Sequence, residues 1–304
     1  VIVTGGNGFV GYHVINELNK ANCFVISIDE ADHRDDIEAV QHTTSLHDPE
    51  LPRIFDFLNP DYVIHLAATH YIPYCNAHPI ETFHNNVMGT ASLLAALPDS
   101  VRGLFIASSA AVYEPSLMPH SESSPTWPTD VYGLTKVATE YLARKWGDDT
   151  NKAVCLGRYF NMYGWGETTP HLIPVVVSQV LSGSKHVTLG NVTTRRDYVR
   201  VEDNARATVA LTLSGYRGAI NLGTGISYSA MDIVRIIGQI HGADFSVSTD
   251  ESRVRKVDRP NLVSDMTVFN LARLLVDIPQ PLDINSGLEK LLETGIGPYM
   301  KEPG

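Results

Sequence analysis

Val1-Ile-Val-Thr-Gly-Gly-Asn-Gly-Phe-Val-Gly11 decides how this chain is read. A short apolar strand runs straight into glycines at 5, 8 and 11, after which Val10, Val14, Ile15 and Leu18 recur at helical spacing. Glycines on a strand-to-helix turn allow a tight bend, a close approach of backbone N–H groups to a pyrophosphate, and close packing of the helix. Their spacing alone carries little, but here a second strand follows. Phe24-Val-Ile-Ser-Ile28 ends in Asp29, roughly 20 residues beyond the turn, where a carboxylate binds both hydroxyls of a ribose and repels a 2′-phosphate. The expected cofactor is therefore NAD and not NADP.

The same rhythm continues outward. Tyr62-Val-Ile-His-Leu-Ala-Ala68 and Gly103-Leu-Phe-Ile-Ala-Ser-Ser109 read as further strands, with helical stretches near 49–58, 80–96 and 131–146. Apolar strands alternating with helices predict a Rossmann-type, doubly wound parallel sheet covered on both faces, with ligands bound beyond the carboxyl ends of its strands. Beyond residue 160 the pattern loosens. Asn161 to Glu167 reads as a loop, Leu172 to Leu181 as a helix, and Thr193 to Asp203 as a strand or turn carrying Arg195, Arg196 and Arg200. Ala219 to Gly225 reads as a returning strand, and Ala230 to His241 as an amphipathic helix. With no repeat and no low-complexity linker, the expected organisation is a first lobe over 1–160 that also receives roughly 193–225. A smaller substrate lobe, mainly 161–304, is interleaved with it.

Bulk composition excludes several classes. A chain of 304 residues with 43% apolar content can bury a substantial core. Its formal net charge of -11 argues against nucleic acid or an anionic membrane as the partner, so an anionic ligand has to be met by local arginines or helix N-termini. Cys23, Cys75 and Cys155 show neither disulfide nor zinc spacing, which points to a reducing, cytoplasmic setting. No stretch reaches the ~18 to 20 apolar residues of a membrane span. Val1 already stands inside the strand-like run, so a preceding segment is left open.

The chemistry is expected at Tyr132-Gly-Leu-Thr-Lys136. Residues i and i+4 of a helix share one face, so the phenol of Tyr132 and the ammonium of Lys136 can reach one site. A free tyrosine titrates near ~10, and a nearby cation lowers that value, which would let Tyr132 take a proton from a substrate hydroxyl near neutral pH. His65 with His70, and His78 with His84, lack supporting carboxylates or cysteines, and no metal is expected.

With these motifs in place the sequence resembles the extended short-chain dehydrogenase/reductase family, and within it the nucleotide-sugar epimerases and dehydratases. The resemblance rests on an ordered series: Thr4 to Gly11, Asp29, His65-Leu-Ala-Ala68, Asn86-Val-Met-Gly-Thr90, Ser108-Ser-Ala-Ala-Val-Tyr113 and Tyr132 with Lys136. It continues through Arg158-Tyr-Phe-Asn161-Met-Tyr-Gly164, Arg196-Asp-Tyr-Val199, Asn221-Leu-Gly-Thr-Gly225 and Arg259-Pro260. It implies that Tyr132 is the acid/base, that Lys136 binds the nicotinamide ribose and lowers the tyrosine pKa, and that Ser109 hydrogen-bonds the reacting sugar hydroxyl. It places Gly5, Gly8, Phe9, Val10, Gly11, Asp29, Leu66, Ala67, Ala68, Ser108 and Tyr159 along NAD. Tyr71, Asn161 and Leu262 would border the sugar nucleotide, with Arg196 and Arg259 gripping its diphosphate. The implied reaction oxidises C4 of the sugar transiently, and the 4-keto intermediate is then epimerised or dehydrated. A homodimer is implied through helices near 80–96 and 131–146.

Four departures from the family pattern bear on the outcome. Where 4,6-dehydratases carry an Asp-Glu pair after the residue matching Ser109, this chain has Ala110 and Ala111, which favours 4-epimerisation. Cys75 stands where epimerases commonly have serine. With Tyr71 and His70 it is a candidate proton-transfer group for a nonstandard dehydratase, for example one forming a 5,6-alkene. Ser45 replaces an aspartate that contacts adenine, which is expected to weaken that end of the site. Leu262 replaces a gate that is aromatic in some epimerases, leaving room for an N-acetyl group, so the expected substrate is a UDP-hexose or UDP-N-acetylhexosamine. A net oxidoreductase releasing NADH and a catalytically silent NAD-binding regulator are the competing functions, and intact Tyr132, Lys136 and Ser109 weigh against the regulator.

Overall fold

A computed structural model describes residues 1–167, 169–251 and 259–297. Seven strands form the central sheet: β1 (Ile2–Thr4), β2 (Ile26–Asp29), β3 (Val40–Thr43), β4 (Tyr62–His65), β5 (Gly103–Ser109), β6 (Ala153–Tyr159) and, after three strands of the other lobe, β10 (Gly218–Leu222). Their order is β3-β2-β1-β4-β5-β6-β10, and every pair is parallel. The order reverses between β1 and β4, so loops leaving their carboxyl ends diverge and open a crevice there. One face is covered by a core that includes Val14, Ile15, Leu18, Phe105 and Leu211. The other is covered by one that includes Leu51, Phe55, Leu93, Leu104 and Leu156.

The helices Leu172–Leu181 and Ala230–His241 coincide with the sequence expectation. The helix expected to end at 146 runs over Val131–Thr150, closed by Asn151 in the left-handed conformation. The stretch expected as one helix over 80–96 is Pro79–Phe83 and Gly89–Ala96 joined by a π-helical segment, His84–Met88. That wider turn carries the buried Asn86, whose side chain bonds both backbone groups of Thr69 (2.8 and 2.9 Å) and the hydroxyl of Thr135 (3.0 Å). The loop after β4 is thereby tied to helix Val131–Thr150.

A helix over Val201–Leu213 has no counterpart in the sequence reading. It is buried almost all round and is rich in alanine, threonine and valine, so no polar face marks its period. It packs on helix Phe9–Lys20 and leads into β10. The chain therefore returns to the first lobe at Val201, not near 193. Arg195–Arg200 is β9, which belongs to the second lobe. There it pairs with β7 (Asn161–Tyr163), expected as loop, with β11 (Ser227–Ser229) and with β13 (Asn261–Leu262). Beside them β8 (His186–Leu189) pairs with β12 (Ser246–Thr249), and the lobe has its own core around Ile173, Val177, Ile233, Ile237 and Leu288. Among the described residues no helix is long and apolar enough to cross a membrane.

Two buried polar clusters hold the sheet and its helices in register. Arg158 on β6 donates through Nε and Nη2 to both oxygens of Glu140 on helix Val131–Thr150 (2.8 Å each), while the Ser108 hydroxyl donates to Glu140 Oε1 at 2.6 Å. Its third nitrogen reaches the Tyr113 hydroxyl (3.1 Å) and the Glu122 carbonyl (2.9 Å). His65 lies between Thr4 and Thr90, 2.7 and 3.0 Å from their hydroxyls. The Thr90 proton goes to the Asn86 carbonyl (2.6 Å), so His65 Nε2 donates to Thr90 and Nδ1 accepts from Thr4. The neutral ring is satisfied at both nitrogens.

Replacing Arg158 by Met would leave Glu140 buried with half its partners, and a loss of about 3–5 kcal/mol is expected in urea unfolding. The double variant Arg158→Met/Glu140→Leu should recover much of it. Burial, and then the charge of Lys136, push His65 down from 6.5 to about 3. Between those values the unfolded chain holds a proton that the folded chain refuses, so stability rises with pH there and is lost on acidification. Each unit in that window is worth up to about 1.4 kcal/mol. Urea midpoints measured between about pH 7 and pH 4 should fall less steeply in His65→Gln than in the parent.

Candidate active site

The crevice at the carboxyl ends of the central strands is a cleft of about 880 Å³. Its floor is the glycine turn. Gly5 has φ +72°, and a Cβ there would lie 2.7 Å from the Ala67 nitrogen; a Cβ on Gly11 would lie 2.3 Å from the Gly5 carbonyl. Those two glycines are demanded by the backbone itself. Gly8 is different: a Cβ there would meet nothing closer than the Gly5 carbonyl at 3.3 Å, so the space it leaves lies open to the cleft at the start of helix Phe9–Lys20. That is the cradle a pyrophosphate requires.

Asp29 ends β2 at the rim of this floor. One carboxylate oxygen accepts the backbone N–H of Asn7 and the other that of Ala31, both at 2.9 Å. The acid is thus presented to the cleft at a fixed angle, as ribose binding requires. Phe9, Val10, Leu66, Ala67, Ala68, Ser108 and Tyr159 also line the cleft. Ser45 does not line it. Its hydroxyl donates to Glu30 Oε1 at 2.5 Å, and Glu30, together with Leu46 and His47, forms the cleft wall there.

The reacting end is assembled from β5 and helix Val131–Thr150. Asp130 caps the helix by accepting from the Gly133 N–H at 2.8 Å. Gly133 is needed for contact: its Cβ would sit 2.4 Å from the Ala111 carbonyl. The first helical turn therefore rests on the 110–111 turn, bringing Tyr132 and Ser109 to the same cleft. Lys136 is buried, donates to the Ala107 carbonyl at 2.8 Å, and has its nitrogen 5.6 Å from the centre of the Tyr132 ring.

The expectation that Lys136 lowers the tyrosine is not met in this structure. Burial raises the phenol well above its ordinary value, with the Ser109 hydroxyl opposing, and burial also pushes Lys136 down to about 8. Desolvation disfavours both charged forms, and at this separation it outweighs their attraction.

Cys75 departs from its expected place. It is buried in helix Ile72–Ala77, its thiol 3.6 Å from the Thr69 carbonyl, and it does not line the cleft. Burial pushes the thiol up, away from the thiolate that proton abstraction would need. Tyr71, Asn161, Leu262, Arg196 and Arg259 do line the cleft. Arg259, however, is buried and donates to the carbonyls of Ala110 (3.0 Å) and Ala111 (2.7 Å), with Asp130 at 3.6 Å. It braces the turn under Ser109. Arg196 donates to the carbonyls of Arg195 and Arg259, each at 2.8 Å.

Glu167, Thr169 and His171 were not foreseen. They follow β7, Glu167 at the end of the stretch read as loop and Thr169 and His171 between it and the next helix, and line the cleft together with His70. A Glu-x-x-x-His spacing was available, but without a helix to set its geometry it carries no meaning in sequence. Among the described residues no three His, Cys, Asp or Glu side chains are arranged to hold a metal ion.

Comparison with known proteins accords with this geometry. Residues 1–223 match the family described as NAD dependent epimerase/dehydratase. A UDP-glucose 4-epimerase of Halalkalibacterium halodurans is 33% identical, over 80% of this chain and 80% of its own. A GDP-6-deoxy-D-talose 4-dehydrogenase of Aggregatibacter actinomycetemcomitans is 28% identical, over 87% of this chain and 88% of its own. The crystal structure of a UDP-glucose 4-epimerase from Thermus thermophilus in complex with NAD superposes with a TM-score of 0.85 at 25% identity, covering 96% of this chain and 97% of that one. Glycine turn, fixed Asp29 and the Tyr132–Lys136 helix thus stand in a chain whose greater part matches one family, and the protein belongs to the NAD-dependent epimerase/dehydratases.

Proposed function

We propose that the protein interconverts the 4-epimers of a nucleotide-linked hexose, with a UDP-hexose or UDP-N-acetylhexosamine as substrate. The observation that carries this reading is the convergence of Tyr132, Ser109 and Lys136 on one cleft whose adjoining turn holds only Ala110 and Ala111. Dehydration by the usual route needs an acid and a base at those two positions, and methyl groups move no proton.

NAD, when bound, supplies a hydride acceptor and a positive ring charge at this end of the cleft. The protein does the rest. Ser109 and Tyr132 hydrogen-bond the O4 hydroxyl, and Tyr132 takes its proton as the C4 hydride leaves, which gives the 4-ketone. With the O4 proton on its oxygen, the phenol is the acid of the return step, in which it gives that proton back to O4. Returning hydride to the opposite face completes an isomerisation with no change of mass. Lys136 is the protein's own cation beside the phenolate. In this reading Asn161 and Arg196, which line the cleft from the second lobe, meet the sugar and diphosphate, and Arg259 acts by holding the 110–111 turn. Leu262, an aliphatic side chain on the wall, leaves room for an N-acetyl group.

A homodimer through helix Val131–Thr150 and the helical stretch 79–96 is part of this reading. Tyr141 and Ile80 are 70% and 86% exposed, and Leu134 and Met88 on the same helical segments are exposed as well. Three free cysteines fit a reducing, cytoplasmic setting.

With NAD-loaded protein, proton NMR should show UDP-glucose and UDP-galactose, or their N-acetyl counterparts, interconverting without deuterium uptake at C4 in heavy water. Tyr132→Phe should slow this ~100-fold or more while NAD still binds. Wild-type protein that binds NAD but converts none of the four sugars would point to the silent regulator instead. Sedimentation at micromolar concentration should show a dimer that Tyr141→Glu shifts toward monomer. A monomeric parent protein would sink the proposed interface.

A further inference from the structure

The loop after β7 carries a buried carboxylate and a histidine that the 4-epimerisation chemistry leaves unused. Glu167 is only 3% exposed, and its Oε1 accepts from His171 Nδ1 at 2.5 Å. Its other oxygen, Oε2, is buried with no partner among the described residues. A buried carboxylate that is half satisfied is costly and is retained where a ligand or a reaction uses it. His171, by contrast, is 37% exposed and faces the cleft. Because Glu167 holds Nδ1 as a donor, the lone pair of the neutral ring is on Nε2, and no partner for Nε2 is found among the described residues.

The surroundings favour a base here. His70, from the loop after β4, has its ring centre 6.3 Å from that of His171 and its Nε2 3.2 Å from the Thr169 hydroxyl. The two imidazoles thus stand together at one wall of the cleft. The carboxylate–imidazole pair therefore has the form of an oriented general base at the cleft wall. Tyr132 and Ser109 already account for O4. What a second base can attack is set by the ketone, because a 4-keto group acidifies the C–H bonds at C3 and C5.

We infer that His171, positioned by Glu167, exchanges a carbon-bound proton next to C4 during the lifetime of the 4-keto intermediate. This rests on the 4-epimerase reading. His171 Nε2 takes the proton, the C–H electron pair becomes the C=C bond of the enolate, and the carbonyl pair moves to O4, where Tyr132 and Ser109 hydrogen-bond the oxyanion. Reversal returns a proton to the same carbon from the imidazolium. No oxidant or further reactant is needed, and in heavy water the returned proton becomes a deuteron. Proton return to the opposite face would make the protein an epimerase at a second carbon as well.

The test is to incubate NAD-loaded protein with UDP-glucose, UDP-galactose and their N-acetyl counterparts in heavy water. NMR and mass spectrometry then read deuterium at C3, C4 and C5 per molecule of 4-epimer formed. Label at C3 or C5, with C4 unlabelled, is expected from the parent protein. His171→Asn should lower that label per turnover ~100-fold, and Glu167→Gln should lower it ~10-fold or more. A purely structural part for Glu167 would leave label per turnover unchanged and would overturn the dyad. Formation of 4-epimer with no deuterium at C3 or C5 would overturn the inference while leaving the proposed function intact. Absence of both epimer and label across all four sugars would remove the two together.

Discussion

The ion pair of Arg158 with Glu140 is the constraint on which the reacting end of the cleft depends. A guanidinium with one carboxylate on two of its nitrogens, in a site closed to water, is tolerable only if every remaining donor is met. The Tyr113 hydroxyl and the Glu122 carbonyl accept from the guanidinium, and the Ser108 hydroxyl donates to the carboxylate. The consequence is geometric. Helix Val131–Thr150 is pinned to β5 and β6 one turn below Lys136, so the helix can neither slide nor rotate without stranding a charge. Tyr132 inherits its position from this anchor and from the close contact of Gly133 with the Ala111 carbonyl.

Proton chemistry in the site is governed by desolvation more than by charge pairing. Tyr132 and Lys136 lie within one helical turn, yet burial moves the two in the directions that disfavour phenolate and ammonium alike. A site of this kind holds its protons until a ligand completes it. The same physics disposes of Cys75, whose thiol is raised where a base would need it lowered. It also makes the Glu167–His171 pair conspicuous, since a carboxylate that burial penalises has been kept beside an imidazole that faces the cleft.

Much of the fold was legible in the sequence, for reasons that can be stated residue by residue. The glycine turn, Asp29 and the four buried strands β1, β2, β4 and β5 read correctly because each depends on local geometry or on a short apolar run, whereas the largely exposed β3 shows no such run and the π-helical turn within 80–96 no local mark. Leu172–Leu181 and Ala230–His241 were equally clear, having one covered face each. Helix Val201–Leu213 was not, because a helix buried on nearly all sides shows no period. Strand β9 was assigned to the wrong lobe, because strand partners are long-range facts that no local pattern carries.

At the site itself the sequence by itself determined which chemistry was available: a tyrosine and a lysine four apart, a serine at a strand end, two alanines where an acid and a base would otherwise stand, and an acidic residue after the second strand. Only the tertiary structure decided which side chains meet in the cleft. It drew Arg259 under the 110–111 turn, turned Cys75 inward, tied Ser45 to Glu30 outside the cleft lining, and brought Glu167 and His171 together with His70 from a loop about a hundred residues earlier. The reason is that residue type and spacing fix what a group can do over one or two turns of chain. Burial and long-range packing set its solvation and partners, and those decide whether it acts.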